Sequence, residues 1–330
     1  MSASAAALEV RELVVGVRRG DTSLRLVRGV SFEVAAGRTL CLVGESGSGK
    51  TLTALALMRL LPRSLGAQAQ QVLLEGQPVS LAGWSGPPAG LAMIFQEPMT
   101  ALNPAFTVGS QIGEALRIHH RGMRAREARD EALRLLDEVG IADAARRLHA
   151  YPHQMSGGMR QRVVIAIALA CAPRVLIADE PTTALDVTVQ AQILRLFRQL
   201  QQAHRLGMVL VTHDMGVVSS VADDVAVMYA GQVVERGPAE QVLGAPLHPY
   251  TRALLACTPA MPSGVEPPRP PDAPLAEIPG VVPLPAEWGA GCTFAPRCPQ
   301  VRAECGARAP RWVEREAGRG VACWLHEDRP

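Results

Sequence analysis

The chain is nearly devoid of lysine. Lys50 is the single lysine in 330 residues, and the other 32 basic side chains are arginines. Long apolar runs are missing too. The longest, Val163–Ala172, has ten residues and is closed by Pro173. A membrane-crossing helix needs about 18 or more, so none is expected. The N-terminus MSASAAALEVRE has no basic region followed by an apolar one, so no signal peptide is expected. A net charge of +2 implies no polybasic nucleic-acid surface. The densest arginine cluster, residues 121–134, alternates with acids and reads as a solvated helix face. What remains is a soluble or peripheral chain, 48% hydrophobic, able to bury one large core plus an appendage.

The lone lysine lies in Gly44-Glu45-Ser46-Gly47-Ser48-Gly49-Lys50-Thr51, which fits G-x-x-x-x-G-K-[ST]. A compact ammonium fits under a phosphate chain wrapped by backbone, where arginine's planar fork is too wide. Thr39–Val43 reads as a short apolar strand entering this loop, and Thr51–Leu61 as a helix leaving it. Strand, loop and helix in that order are the context of a P-loop. Gly44, Gly47 and Gly49 would let backbone N–H groups turn inward around phosphate. Lys50 would reach the β- and γ-phosphates, and the Thr51 hydroxyl would bind Mg²⁺.

Further on, apolar strands alternate with helices. Strands are expected over Leu91–Gln96, Val175–Ala178 and Met208–Thr212. Helices are expected over Val108 to about Leu148, with turns at Arg121-Gly122 and Gly140, and over Ser156–Ala172 and Val187–His204. Residues 7–38 read as short strands, Gln71–Ser80 as a strand pair turning at Glu75-Gly76, and Val225–Met228 with Gln232–Glu235 as a hairpin. This alternation predicts an α/β core with a mainly parallel sheet. Lys50, Gln96, Asp179 and His213 all follow apolar strands, where α/β sheets bind ligands.

Val175-Leu176-Ile177-Ala178-Asp179-Glu180 resembles a Walker B strand. Asp179 would hold Mg²⁺ through water, and Glu180 would polarise the attacking water as general base. Ser156-Gly157-Gly158 opens a helix and is suited to an anion through free N–H groups, although an ordinary N-cap would look the same. One chain needs one P-loop for its own nucleotide, so a second phosphate-type segment suggests a contact made in trans.

Taken in order, GESGSGKT, Gln96, SGGMRQR, VLIADEP, TALD and His213 resemble the ATP-binding subunit of an ABC transporter. ALDVTVQAQIL, PLHPYTRALL and CTFAPRCP narrow the resemblance to the oligopeptide/dipeptide (and nickel) importers. It implies a P-loop NTPase with a RecA-like core, an antiparallel β subdomain, a helical subdomain over about 100–172 and a small cysteine-containing extension. It also implies that Gln96 touches Mg²⁺ and the attacking water. Ser156, Gly157 and Gly158 would contact the γ-phosphate held by a partner's P-loop, Asp186 would lie across the dimer seam, and His213 would contact the γ-phosphate. The implied partners are a second, similar ATPase, two transmembrane permeases and an extracytoplasmic solute-binding protein, with no nucleic acid. The implied location is peripheral, on the cytoplasmic face of the membrane. The alternatives are import of nickel or another small solute, or an ABC ATPase of DNA repair or translation. Repair types need a long coiled coil between P-loop and signature, and translation types need two cassettes in one chain. Neither feature is present.

Seven cysteines are unevenly placed. Cys41 and Cys171 lie in apolar runs and read as core residues. Cys292, Cys298, Cys305 and Cys323 crowd the tail as C-x5-C-x6-C-x17-C, which is not the paired spacing of zinc ribbons. Four thiolates on a loop-rich scaffold suit Zn²⁺ or an iron–sulfur cluster, or remain reduced without metal. The resemblance tilts the reading toward a 4Fe-4S cluster. The expected domains are an ATPase over 7–258, a Pro-rich linker over 259–285 and the extension over 286–330.

One departure from the family pattern carries a prediction. ABC ATPases stack adenine on an aromatic residue near the start, but Leu13–Arg18 has none and Phe32 is the only aromatic before Trp84. Val17 against the base would forfeit about 1–2 kcal/mol of stacking. Weaker ATP affinity or relaxed base choice is expected. GTP competing with ATP on comparable terms would bear this out, whereas tight, strongly selective ATP binding would refute it.

Overall fold

The computed structural model describes residues 6–19, 22–82, 86–96, 101–183, 185–258, 277–316 and 318–327. Short apolar runs bury best as central parallel strands, covered on both faces. Such strands form the parallel part of an eight-stranded sheet, with β7 at its edge: β3 (Thr39–Val43), β7 (Leu91–Ile94), β8 (Val175–Asp179), β9 (Gly207–Thr212) and β10 (Asp224–Tyr229). They lie in the order β10-β3-β9-β8-β7, all parallel. Every residue of β3, β8 and β9 is buried.

The pleat sorts β3 side chains between two cores. Leu40 and Leu42 face one cluster, which holds α1 (Lys50–Leu57) and the N-terminal sheet. Cys41 and Val43 face the other, which holds helices from the rest of the cassette. The N-terminal sheet is antiparallel. Its two long strands, β1 (Ala6–Arg19) and β2 (Thr22–Ala35), replace the several short strands expected, and β4 (Gly66–Gln68), β5 (Gln71–Leu74) and β6 (Gln77–Pro78) complete it. The β5–β6 turn has Glu75 and Gly76 both at positive φ, which suits a tight hairpin.

α1 is shorter than expected. It caps at Met58, and Arg59 at φ 57° turns the chain away, leaving Leu60 exposed. The helical part contains α2 (Val108–His119), α3 (Ala125–Glu138), α4 (Ala144–Arg147) and α5 (Gly157–Leu169). Val108, Ile112 and Leu116 on α2, and Ala128, Ala132, Leu135 and Leu136 on α3, form inward stripes of helical period. α6 matches its expected bounds, Val187–His204. Two helices were not legible from apolar pattern, α7 (Met215–Val221) and α8 (Ala239–Gly244). Asp214 caps α7 by accepting the Gly216 and Val217 N–H groups.

After the β10–β11 hairpin, with β11 at Gln232–Pro238, α9 (Pro249–Ala256) ends at Cys257. Residues 259–276 of the expected linker lie outside the described residues. The tail has more regular structure than its pattern suggests. A short helix, α10 (Ala303–Ala307), precedes β12 (Val313–Glu316) and β13 (Arg319–Val321), and β13 pairs with β11. The tail therefore extends the main sheet at its edge. Among the described residues, no helix is long and apolar enough to cross a membrane.

Candidate nucleotide site

Parallel pairing brings the strand ends to one level. Val43 sits opposite Thr212, and Asp179 opposite Val211. The loop from Gly44, the Asp179-Glu180 pair and His213 therefore leave the sheet side by side. Gly44 is required there because a Cβ would lie 2.1 Å from the Met228 carbonyl oxygen of β10. Gly49 caps α1 at φ 99° and ψ 3°, a left-handed conformation that disfavours side chains.

Lys50 is buried, and its Nζ donates to the carbonyl oxygens of Gly44 and Glu45 at 2.7 and 2.9 Å and to Ser48 Oγ at 3.2 Å. Desolvation pushes its ammonium down from 10.5 to about 8, against the opposing pull of Glu180, Asp179 and Glu45. Thr51 Oγ1 donates to Asp179 Oδ1 at 3.2 Å, so these two expected Mg²⁺ groups touch. Burial raises the Asp179 carboxyl, while the Thr51 hydrogen bond lowers it. A carboxylate beside a hydroxyl is a hard oxygen donor set, which fits Mg²⁺.

Glu180 joins the other candidates. Gln96 Nε2 donates to its Oε2 at 2.9 Å, and His213 Nδ1 lies 2.9 Å from its Oε1. Thr183 Oγ1 adds a third contact at 3.1 Å. Thr183 was not picked out from sequence. Its place three residues after Glu180, in the turn that follows the strand, was the available signal. Glu180 itself sits at φ 46°, and its N–H is held by the Val211 carbonyl at 2.9 Å. A non-glycine residue in the left-handed region costs about 1 kcal/mol or more, which surrounding contacts must offset.

The SGG segment lies apart from these contacts. Ser156 caps α5 by accepting the Met159 N–H at 3.3 Å, and Ser156 and Gly157 are exposed. Gly158 has a packing reason as well, since a Cβ there would meet Val189 of α6 at 2.7 Å. Asp186 caps α6 through the Val189 N–H at 2.9 Å. Ser46 and Gly47 lie exposed on the loop, while Ser48 is buried. Val17 is half-buried in β1, opposite Leu24 of β2. The tyrosine of His248-Pro249-Tyr250-Thr251 reaches the loop, its hydroxyl accepting the Glu45 N–H at 2.8 Å.

Cys292, Cys298, Cys305 and Cys323 line one small cavity. They are not drawn together as ligands: among the described residues, no group of three or more His, Cys, Asp or Glu side chains is placed to hold a metal ion. This departs from the metal site expected of the tail. As placed, the Cys292, Cys298 and Cys323 thiols are desolvated and favour the neutral form. Burial raises Cys292 and Cys298, and it pushes Cys323 up to about 11, reinforced by the other three sulfurs.

The fold and site define a P-loop nucleotide-binding cassette. The ABC transporter family model matches residues 27–183, and that of the oligopeptide/dipeptide transporter C-terminal region matches residues 234–305. A putative peptide import ATP-binding protein of Brucella melitensis is 47% identical over 96% of both chains. Two Bacillus subtilis proteins, an oligopeptide and a dipeptide transport ATP-binding protein, are 44% and 45% identical, covering 97% and 98% of this chain and 97% and 95% of their own. The chain belongs to the ATP-binding proteins of ABC transporters, in the group that carries the oligopeptide/dipeptide C-terminal region. Solved cassettes share the fold. One from Clostridium perfringens, part of an ABC transporter complex, aligns at a TM-score of 0.61 and 23% identity over 73% of this chain and 91% of its own. A dimeric cassette bound to ADP and phosphate aligns at 0.59 and 24% identity over 70% and 98%.

The depressed Lys50 gives a pH prediction. Its ammonium is present below about pH 8 and is lost as pH rises through that value. ATP affinity is expected to hold below that pH and weaken above it. Equilibrium titrations across pH check this, and a Lys50→Gln chain should bind weakly with no such dependence.

Proposed function

We propose that the chain hydrolyses ATP to drive import of oligopeptides or dipeptides across the cytoplasmic membrane, as a peripheral subunit on its cytoplasmic face. The observation that carries the chemistry is the meeting of Gln96 and His213 on the Glu180 carboxylate. A carboxylate held by two directional partners is oriented to take a proton from water. Lys50 and the loop N–H groups would bind the β- and γ-phosphates, with Thr51, Asp179 and Gln96 holding Mg²⁺. The metal would neutralise charge on the phosphates. The transport direction and peptide class rest on kinship with peptide import proteins.

The cassette is read as residues 7–258, joined by the 259–285 linker to the 286–330 extension. Its working form is a dimer with a second, similar ATPase, each site completed by the partner's Ser156-Gly157-Gly158 segment, with Asp186 near the seam. The exposed start of α5 supports this reading, because free helix N–H groups there can meet a phosphate from outside. The stretch 100–155 would carry the permease contacts, and the exposed Phe106, Ile118 and Tyr151 support that placement. A binding protein would deliver the solute.

Glu180→Gln is expected to retain ATP binding and lower phosphate release by about 100-fold or more, the usual worth of a general base. Unchanged turnover in the assembled transporter would refute the assigned base. For the tail, the chemistry of a four-thiol donor set around one cavity supports a 4Fe-4S cluster or Zn²⁺, provided the thiols draw in from their present placement. Anaerobic purification should yield a brown protein containing iron and acid-labile sulfide. A colourless protein with stoichiometric zinc would end the cluster reading, and a metal-free one would end both.

A further inference from the structure

The phosphate-binding loop contains a carboxylate, Glu45, and a carboxylate there repels an incoming triphosphate unless its charge is offset. The offset comes from the tail. Arg297 grips Glu45 with a two-pronged fork, Nη1 to Oε2 at 2.8 Å and Nη2 to Oε1 at 2.9 Å. The arginine side chain is only 4% exposed. Its Nε donates to the Pro279 carbonyl at 2.8 Å, and its Nη2 also reaches the Ile278 carbonyl at 3.3 Å, so its aim is set by backbone at the end of the linker. Nη1 lies 3.4 Å from the Tyr229 hydroxyl. Tyr229, Tyr250 and Phe294 pack edge-on or tilted around this spot, with ring centroids 4.7 to 5.3 Å apart. A paired, bidentate guanidinium in such a setting holds both charge and geometry.

Glu45 is thereby fixed at three points. Arg297 takes its carboxylate, Tyr250 its N–H, and Lys50 its carbonyl oxygen. The last contact links the tail to the phosphate-binding ammonium through one residue. Arg297 itself lies between Cys292 and Cys298. The backbone there is tied by Cys292 N–H to the Cys305 carbonyl at 2.7 Å and by Ala295 N–H to the Cys292 carbonyl at 3.0 Å.

We infer that Arg297 is a positioning residue of the nucleotide site: it neutralises Glu45 and sets the loop in its phosphate-binding shape, which makes the C-terminal extension a working part of that site. This rests on the reading that Gly44–Thr51 holds the triphosphate. Glu45→Gln removes the carboxylate, and with it the need for the arginine's charge. The prediction is therefore a rescue, which a purely structural role for Arg297 would not produce.

The test is equilibrium binding of ATP to the full chain, with thermal melting run in parallel. Arg297→Gln keeps a donor for the Ile278 and Pro279 carbonyls but loses the charge, and it should weaken ATP binding about tenfold or more. Adding Glu45→Gln should return affinity to within about threefold of the parent, the two sites being coupled. Arg297→Lys, which keeps the charge, should bind better than Arg297→Gln. The inference is overturned if Arg297→Gln is folded and binds ATP as the parent does, or if the double variant is as weak as the single. Should Arg297→Gln fail to fold, the Glu45→Gln background decides: loss of affinity when Arg297→Gln is added there overturns the inference. Lys50→Gln separates the underlying reading, because parental affinity in that chain would refute the phosphate loop itself, whatever Arg297 does.

Discussion

Parallel, in-register pairing of three buried strands is the constraint on which the site depends. β3, β9 and β8 are adjacent, wholly buried and aligned so that Val43 meets Thr212 and Val211 meets Asp179. A slip of one residue would turn each strand's inward set to the wrong face. It would also separate Lys50 and Thr51 from Asp179, and Glu180 from His213. The apolar side chains that stabilise the sheet are therefore the same ones that set distances of about 3 Å between polar groups at its edge. Burial on both faces leaves no room for the register to drift.

At that edge the site stores opposing tendencies. Glu180 occupies a left-handed backbone position yet is held by Gln96, His213, Thr183 and the Val211 carbonyl. Its side chain is 15% exposed while that of His213 is 53% exposed, so the carboxylate is sheltered and its partner faces outward. Burial lowers the Lys50 ammonium to about 8, and nearby carboxylates oppose that shift. Groups held under such tension respond strongly to a charged ligand, because a triphosphate offers what the protein's own oxygens supply only in part.

Local sequence reported the site well where one residue's role depends on its neighbours in the chain. The spacing of Gly44, Gly47, Gly49, Lys50 and Thr51 specifies a phosphate loop because that loop is built from consecutive backbone. Asp179 and Glu180 were legible as the polar end of an apolar strand, and the expected bounds of α6 matched the observed Val187–His204. Residues that act across the fold were not legible. Nothing around Thr183 announces a bond to Glu180, and nothing around Tyr250 announces one to the Glu45 N–H. The tail, poor in periodicity and rich in cysteine, gave no sign that β13 would join the edge of the main sheet or that Arg297 would reach the loop. Such contacts span up to 252 positions and leave no local trace. The four tail cysteines show the converse. Their spacing suggested a ligand set, while folding sorts them by burial around a cavity without gathering them.

The sequence by itself determined the central parallel strands, the longer helices, the phosphate loop and the order of its chemical groups, because these follow from local periodicity and backbone chemistry. Only the tertiary structure decided which groups meet. It aligned the strand ends, closed Gln96 and His213 on Glu180, and brought an arginine from the tail onto the one carboxylate in the phosphate loop. The physical reason is that charge pairing and packing act through space, and the chain's own order carries no measure of that distance.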